Sequence, residues 1–169
     1  MKINELLESA NDTELKAKTL AVDAHKNQKY GVHPYVTHLA DVVARVKTIT
    51  QDPEIIAAAW LHDIVEDTDV TLEQIKQQFG DNVANIVWAV TGRGESRKEK
   101  MANAIAKIAQ TPGSELVKSA DRLSNVSASL PSGLANNPKK LKMYRDEHKD
   151  LSPVLGNNAL ALELVDLFK

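Results

Sequence analysis

His62 and Asp63 stand side by side inside an apolar run, Ile55 to Thr68, and Glu66 and Asp67 follow them by about one helical turn. His38 and Asp121 each sit in a further apolar stretch. Imidazole nitrogens combined with carboxylate oxygens suit a borderline divalent ion such as manganese, iron or zinc. Magnesium and calcium prefer oxygen alone. A divalent ion lowers the pKa of bound water, and an adjacent carboxylate can orient that water or take its proton. Glu66 lies four residues from His62 and three from Asp63, while Asp67 lies four from Asp63. On a helix both acids therefore stand beside an ion rather than across from it. A lone histidine on an apolar face is commonly a hydrogen-bonded core residue, and an acidic helix end, with Asp69, can simply be solvated. Neither reading accounts well for this cluster. Burying several ionisable groups is costly without a cation, and the negative end of a helix dipole disfavours carboxylates.

The elements that must position these residues read almost entirely as helices. Asp52-Pro53 gives an N-cap and a first-turn proline to a helix running through Thr68, with no Gly or Pro inside. It is apolar nearly all round, so it is expected to be buried and central. Before it, an amphipathic helix is predicted after Asn11-Asp12-Thr13, with Leu15, Leu20, Ala21 and Ala24 inward. A polar loop follows from Lys26 to Pro34, then a helix capped by Thr37 that carries His38, Asp41, Val42, Arg45, Val46 and Ile49. After it, Thr71 and Gln74 form a capping box and Gly80 ends a short helix. Asp81 caps the next, with Val83, Ile86, Val87 and Val90. Gly92-Arg93-Gly94 breaks the chain before a helix from Glu95 to Ala109. Ser114 caps a helix with Leu116, Val117, Ala120, Leu123 and Val126 inward, and two last helices lie around Leu141–His148 and Val154–Phe168. The expected fold class is all-α, a bundle of about eight or more helices forming one domain over residues 1–169.

Composition narrows the function. A net charge of −2 provides no general attraction to nucleic acid or anionic membrane. The absence of cysteine excludes disulfides and thiolate zinc sites. The Met1–Glu5 stretch lacks the apolar segment of a signal peptide, and no apolar run is long enough to span a membrane, so a cytoplasmic protein is expected.

His38, His62-Asp63 and Asp121 resemble the H…HD…D pattern of the HD-domain metal-dependent phosphohydrolases. The finer resemblance is to the hydrolase domain of the RelA/SpoT alarmone enzymes in their stand-alone form, the small alarmone hydrolases, a group that includes the metazoan SpoT homologue. Pro34-Tyr35-Val36-Thr37-His38 resembles the family's "PYI-H" segment, and Leu61 to Thr68 its "LHDxVEDT" signature. Val117 to Asn125 resembles "VKLADRLxN", and the segment around His25 its "AH-x-x-Q" opening. The similarity spans roughly residues 15 to 168. It implies an all-helical HD fold, one manganese ion held by His38, His62, Asp63 and Asp121, and Glu66 with Asp67 as the catalytic pair. The implied reaction removes the 3′-pyrophosphate of guanosine tetra- or pentaphosphate, (p)ppGpp, releasing GDP or GTP and pyrophosphate. Asn125 would contact the nucleotide sugar.

Such a substrate needs cations, for which Arg97, Lys98, Lys100 and Lys29 are candidates, and Tyr144 is a candidate to stack on the base or line the pocket. His25 reads as structural support. The expected partner is a small-molecule nucleotide, not nucleic acid or membrane, and a homodimer is compatible with the chain. Three departures surround the nucleotide rather than the metal: Leu39 where the family has Pro, Lys29-Tyr30 in a shorter loop, and Ser124 where Tyr or His is usual. They leave an adenosine alarmone or a nucleoside monophosphate open as the alternative substrate. A non-catalytic nucleotide sensor would have no use for both Glu66 and Asp67. A nucleic-acid-binding helical domain would need a contiguous basic face.

Overall fold

The computed structural model describes residues 3–169, with side chains from residue 8 onward; Met1 and Lys2, part of the N-terminal stretch read above, lie outside the described residues. Helices α1 (Ile3–Ala24), α2 (Val36–Lys47), α3 (Pro53–Leu61), α4 (Ile64–Asp67), α5 (Leu72–Val90), α6 (Arg97–Ile108), α7 (Ser114–Ser129), α8 (Pro138–Leu155) and α9 (Ala159–Leu167) build an all-α bundle. The predicted loop after α1 contains a two-residue antiparallel hairpin, β1 (Lys29–Tyr30) and β2 (His33–Pro34), with Tyr30 opposite His33. No described helix is long and apolar enough to cross a membrane.

Helix α3 is central, packed against α1, α2, α5 and α7. Its sequence explains that place: residues Ile56 to Leu61 are all buried, including three consecutive alanines that let neighbouring helices approach closely. The Asp52 side chain accepts from the Glu54 and Ile55 amides, and Pro53 opens the first turn, as the sequence predicts. Helix α7 packs on α2, α5, α8 and α9, so α2, α3 and α7, which carry the candidate ligands, meet around one apolar core.

Several boundaries differ from expectation. Helix α1 begins at Ile3, ahead of the predicted start, and Leu15 faces solvent while Ala17 and Ala21 are buried. Thr37 does not cap α2, which starts at Val36 with Tyr35 in the cap position. Ser114 is the first residue of α7; its hydroxyl donates to the Thr111 carbonyl and Gly113 stands at the cap. Gly80, at φ 87° and ψ 175°, does separate two helical segments within α5, as expected, while Asp81 just after it pairs with Lys76 at 2.8 Å. Pro153 lies inside α8 near its end, so that helix continues to Leu155 and stops at Gly156.

The largest difference falls in the central helix. The expected helix to Thr68 breaks after Leu61, and α4 restarts at Ile64. His62 Nδ1 lies 2.8 Å from the Ala59 carbonyl, which in an unbroken helix would accept from the Asp63 amide. A side chain has taken a backbone acceptor, and Asp63 moves to φ −101°, ψ −4°. As a result Glu66 and Asp67 are exposed rather than buried.

Candidate active site

His38 from α2 and His62 from the α3–α4 break face each other through their Nε2 atoms, 3.3 Å apart and both buried. Asp121 Oδ1 from α7 lies 3.4 Å from His38 Nε2 and 3.7 Å from His62 Nε2. Asp63 Oδ2 completes the group, 3.0 Å from His62 Nε2 and 3.7 Å from His38 Nε2. Ligand atoms of His38, His62 and Asp121 all fall within 4.8 Å of one another. The Ala59 carbonyl can only accept, so His62 Nδ1 carries the hydrogen and, in the neutral ring, Nε2 presents a lone pair. Lone pairs and carboxylate oxygens converging at these distances repel unless positive charge lies among them. Two imidazole nitrogens with two carboxylate oxygens form a donor set that fits a borderline divalent ion.

The local field runs the same way. Burial disfavours charge on His62, but the Asp63 and Asp121 carboxylates outweigh it and hold its pKa well above the usual value. Burial pushes the Asp121 carboxyl up, yet Lys118 and the two imidazoles bring it well below the usual range. Asp63 is likewise lowered, by His62 against its own burial. Partners orient the group. Tyr35 OH donates to Asp63 Oδ2, His38 Nδ1 lies 3.1 Å from Ser124 Oγ, and Lys118 Nζ lies 2.8 Å from Asp121 Oδ2. Asn125 Nδ2 donates to Asp121 Oδ1 at 2.6 Å. The Tyr30 ring stacks on His38, centroids 4.8 Å apart, while its hydroxyl donates to Asn125 Oδ1 at 3.0 Å.

A cleft of about 370 Å³ opens over Asp63 and Asp121, with Glu66 and Asp67 on its wall. Glu66 Oε1 lies 3.2 Å from Lys100 Nζ, and its Oε2 accepts from the Gly92 amide at 3.4 Å. Asp67 accepts from the Gln28 amide at 2.9 Å. Partial desolvation at the cleft wall, and then the nearby Asp63 and Glu66 charges, raise the Asp67 carboxyl above its ordinary value against that hydrogen bond.

The sequence-derived substrate residues divide. Arg97, Asn125 and Tyr144 line the cleft, as does Lys100, whereas Lys29 on the hairpin and Lys98 on α6 are exposed and do not. Helix periodicity explains the split on α6: Lys98 is one residue from Arg97, and adjacent residues point in different directions. The structure adds Lys118 and Arg122, which also line the cleft. Lys118 was legible from its i,i+3 spacing to Asp121. Arg122 was not, because its partner Glu147, 2.7 Å away, is on another helix.

An HD domain family model matches residues 17–137. The chain is 38% identical over 117 residues to the guanosine-3′,5′-bis(diphosphate) 3′-pyrophosphohydrolase of Aquifex aeolicus, a match covering 66% of this chain and 17% of that protein. It is 32% identical over 151 residues to a probable enzyme of the same name from Synechocystis, covering 84% of this chain and 19% of that one. The chain thus spans about a fifth of the length of these curated relatives. Among solved structures, a metazoan ortholog of SpoT, described as hydrolysing ppGpp and playing a role in starvation responses, superposes with a TM-score of 0.79 at 28% identity, covering 92% of this chain and 93% of that one. The matched span takes in α2, α3, α4 and α7 and with them all four converging side chains, so the chain belongs to the HD domain family.

Proposed function

We propose that the cleft hydrolyses the 3′-pyrophosphate of guanosine tetra- or pentaphosphate, giving GDP or GTP and pyrophosphate. In this reading residues 1–169 form a single hydrolase domain, at home in a cytoplasm whose reducing conditions suit a chain without cysteine. The observation that carries the proposal is the convergence of acceptor atoms from His38, His62, Asp63 and Asp121 beneath a cleft with an acidic pair on its wall. These four residues hold one manganese ion. When bound, that ion supplies Lewis acidity, acidifying water and offsetting phosphate charge.

The chain's own groups do the rest. Glu66 and Asp67 orient the attacking water and take its proton. Lys100 rests on Glu66 in the free protein, and an incoming pyrophosphate draws it away, leaving the Glu66 carboxylate free as a base. Arg97 and Lys118 meet the remaining phosphate charge, Asn125 faces the sugar, and Tyr144 lines the wall beyond it. The wild-type protein with manganese, offered guanosine tetra- and pentaphosphate, their adenosine counterparts and deoxynucleoside monophosphates, should release pyrophosphate and GDP from the tetraphosphate. Orthophosphate released from monophosphates alone would overturn the substrate class.

A further inference from the structure

One hydrogen-bonded chain enters the active site from α1 and is accounted for by none of the steps above. His25 Nδ1 lies 2.7 Å from Gln28 Oε1, and Gln28 Nε2 donates to Asp67 Oδ2 at 2.9 Å. We propose that Gln28, locked in orientation by His25, is a positioning residue that aims the Asp67 carboxylate at the attacking water; this rests on the role given to Asp67 above.

The directions in the chain are forced. A carboxylate only accepts, so the Gln28 nitrogen must face Asp67 and the Gln28 oxygen must face His25. An amide oxygen also only accepts, so His25 Nδ1 must carry the hydrogen. Its Nε2 is then left buried with no partner among the described residues. Leaving a buried nitrogen unsatisfied is unfavourable, and a phenyl ring would fill the same place, stacked on Tyr35 at 4.8 Å, without that cost. What the histidine adds over a phenyl is its Nδ1–H, and that hydrogen is spent on Gln28.

The Gln28 backbone is fastened as well. Its amide donates to the His25 carbonyl at 2.9 Å, and its carbonyl accepts from the Tyr35 amide at 3.1 Å. A side chain so held is not a surface glutamine making an incidental contact. It grips one oxygen of Asp67, and among the described residues nothing else bonds that carboxylate. The second oxygen is thereby left for water in the cleft. The same hairpin segment carries Tyr35, whose hydroxyl holds Asp63. The end of α1 and the hairpin therefore set both an acid beside the ion and an acid beside the water.

The test uses the manganese-loaded full chain and whichever nucleotide of the panel above it turns over fastest. Gln28→Ala should lower kcat about 10–100-fold with KM within about threefold, and with manganese content and Tm unchanged. His25→Phe, which keeps the stacked ring, should lower kcat in the same sense, and the double variant should be no worse than Gln28→Ala alone. Wild-type kcat in Gln28→Ala, or losses that multiply in the double variant, would overturn the inference. Asp67→Asn separates the two readings: if it stays fully active the role of Asp67 fails, whereas if it is inactive while Gln28→Ala is not, only the positioning role fails. Independently of turnover, nitrogen NMR of the His25 ring should show the hydrogen on Nδ1 in the wild type. Finding it on Nε2 would refute the chain of bonds.

Discussion

Glu147 accepts from Arg97 at 2.6 Å and from Arg122 at 2.7 Å, and Arg122 is almost wholly buried beneath the ring of Tyr144, 4.6 Å away. Removing one partner of a buried pair leaves an uncompensated charge, so Glu147→Ala should lose about 3 kcal/mol in urea unfolding at pH 7. Burial pushes the Glu147 carboxyl up, but the two guanidiniums outweigh it and hold the pKa below the ordinary value. Its contribution is therefore present above the ordinary glutamate pKa and is lost as pH falls through the lowered one. The gap between wild type and variant should shrink on acidification, and an undiminished gap at pH 3 would refute this account. At this scale the sequence was informative where partners lie on one helix or in adjoining residues, as with His62 and Asp63 or Lys118 and Asp121. It was uninformative where they do not: Arg122 with Glu147, Tyr30 with Asn125, and Gln28 with Asp67 are joined only by the fold.

The helices were legible from periodicity because each buries one apolar face. Their ends were less so, because ends depend on which group satisfies each exposed amide or carbonyl. Asp52 and the Thr71–Gln74 box do so with local side chains and were readable. Ser96 and Glu99 form the same kind of box at the start of α6 and carry the same signal, so the helix begins at Arg97, two residues after the expected Glu95. The break at His62–Asp63 contains neither glycine nor proline. It follows from the imidazole taking the Ala59 carbonyl, which residue spacing alone does not register.

The connection after α7 shows an element set by close approach. The Ala135 and Asn136 amides both donate to the Ala128 carbonyl, and a Cβ on Gly133 would come within 2.2 Å of the Ser127 carbonyl oxygen. Backbone would have to shift to admit it, so Gly133→Ala should cost about 1–3 kcal/mol, measured by denaturant unfolding. A variant as stable as wild type would mean that the loop can stand away from α7.

For the molecule as a whole, the proposed ion joins three segments distant in sequence, α2, the α3–α4 break and α7, through two imidazoles and two carboxylates. Binding to the folded state alone stabilises it by about 2.7 kcal/mol at a hundredfold excess over Kd, which for a chain of this size raises Tm by about 5–10 °C. Manganese should produce that shift in the wild type, a chelator should reverse it, and His62→Ala should show neither. Equal stabilisation of His62→Ala would place the ion elsewhere.

The phenol of Tyr30 leads to a last consequence. Both ends of the Asn125 amide are already engaged within the protein, one by Asp121 and one by Tyr30. Both amide hydrogens go to Asp121 and Tyr30 takes one lone pair of the oxygen, so a sugar hydroxyl can join only as a donor to the lone pair that remains. The hairpin can then stay in place as the nucleoside seats, and a sugar whose facing hydroxyl is methylated, having no hydrogen to give, should bind more weakly.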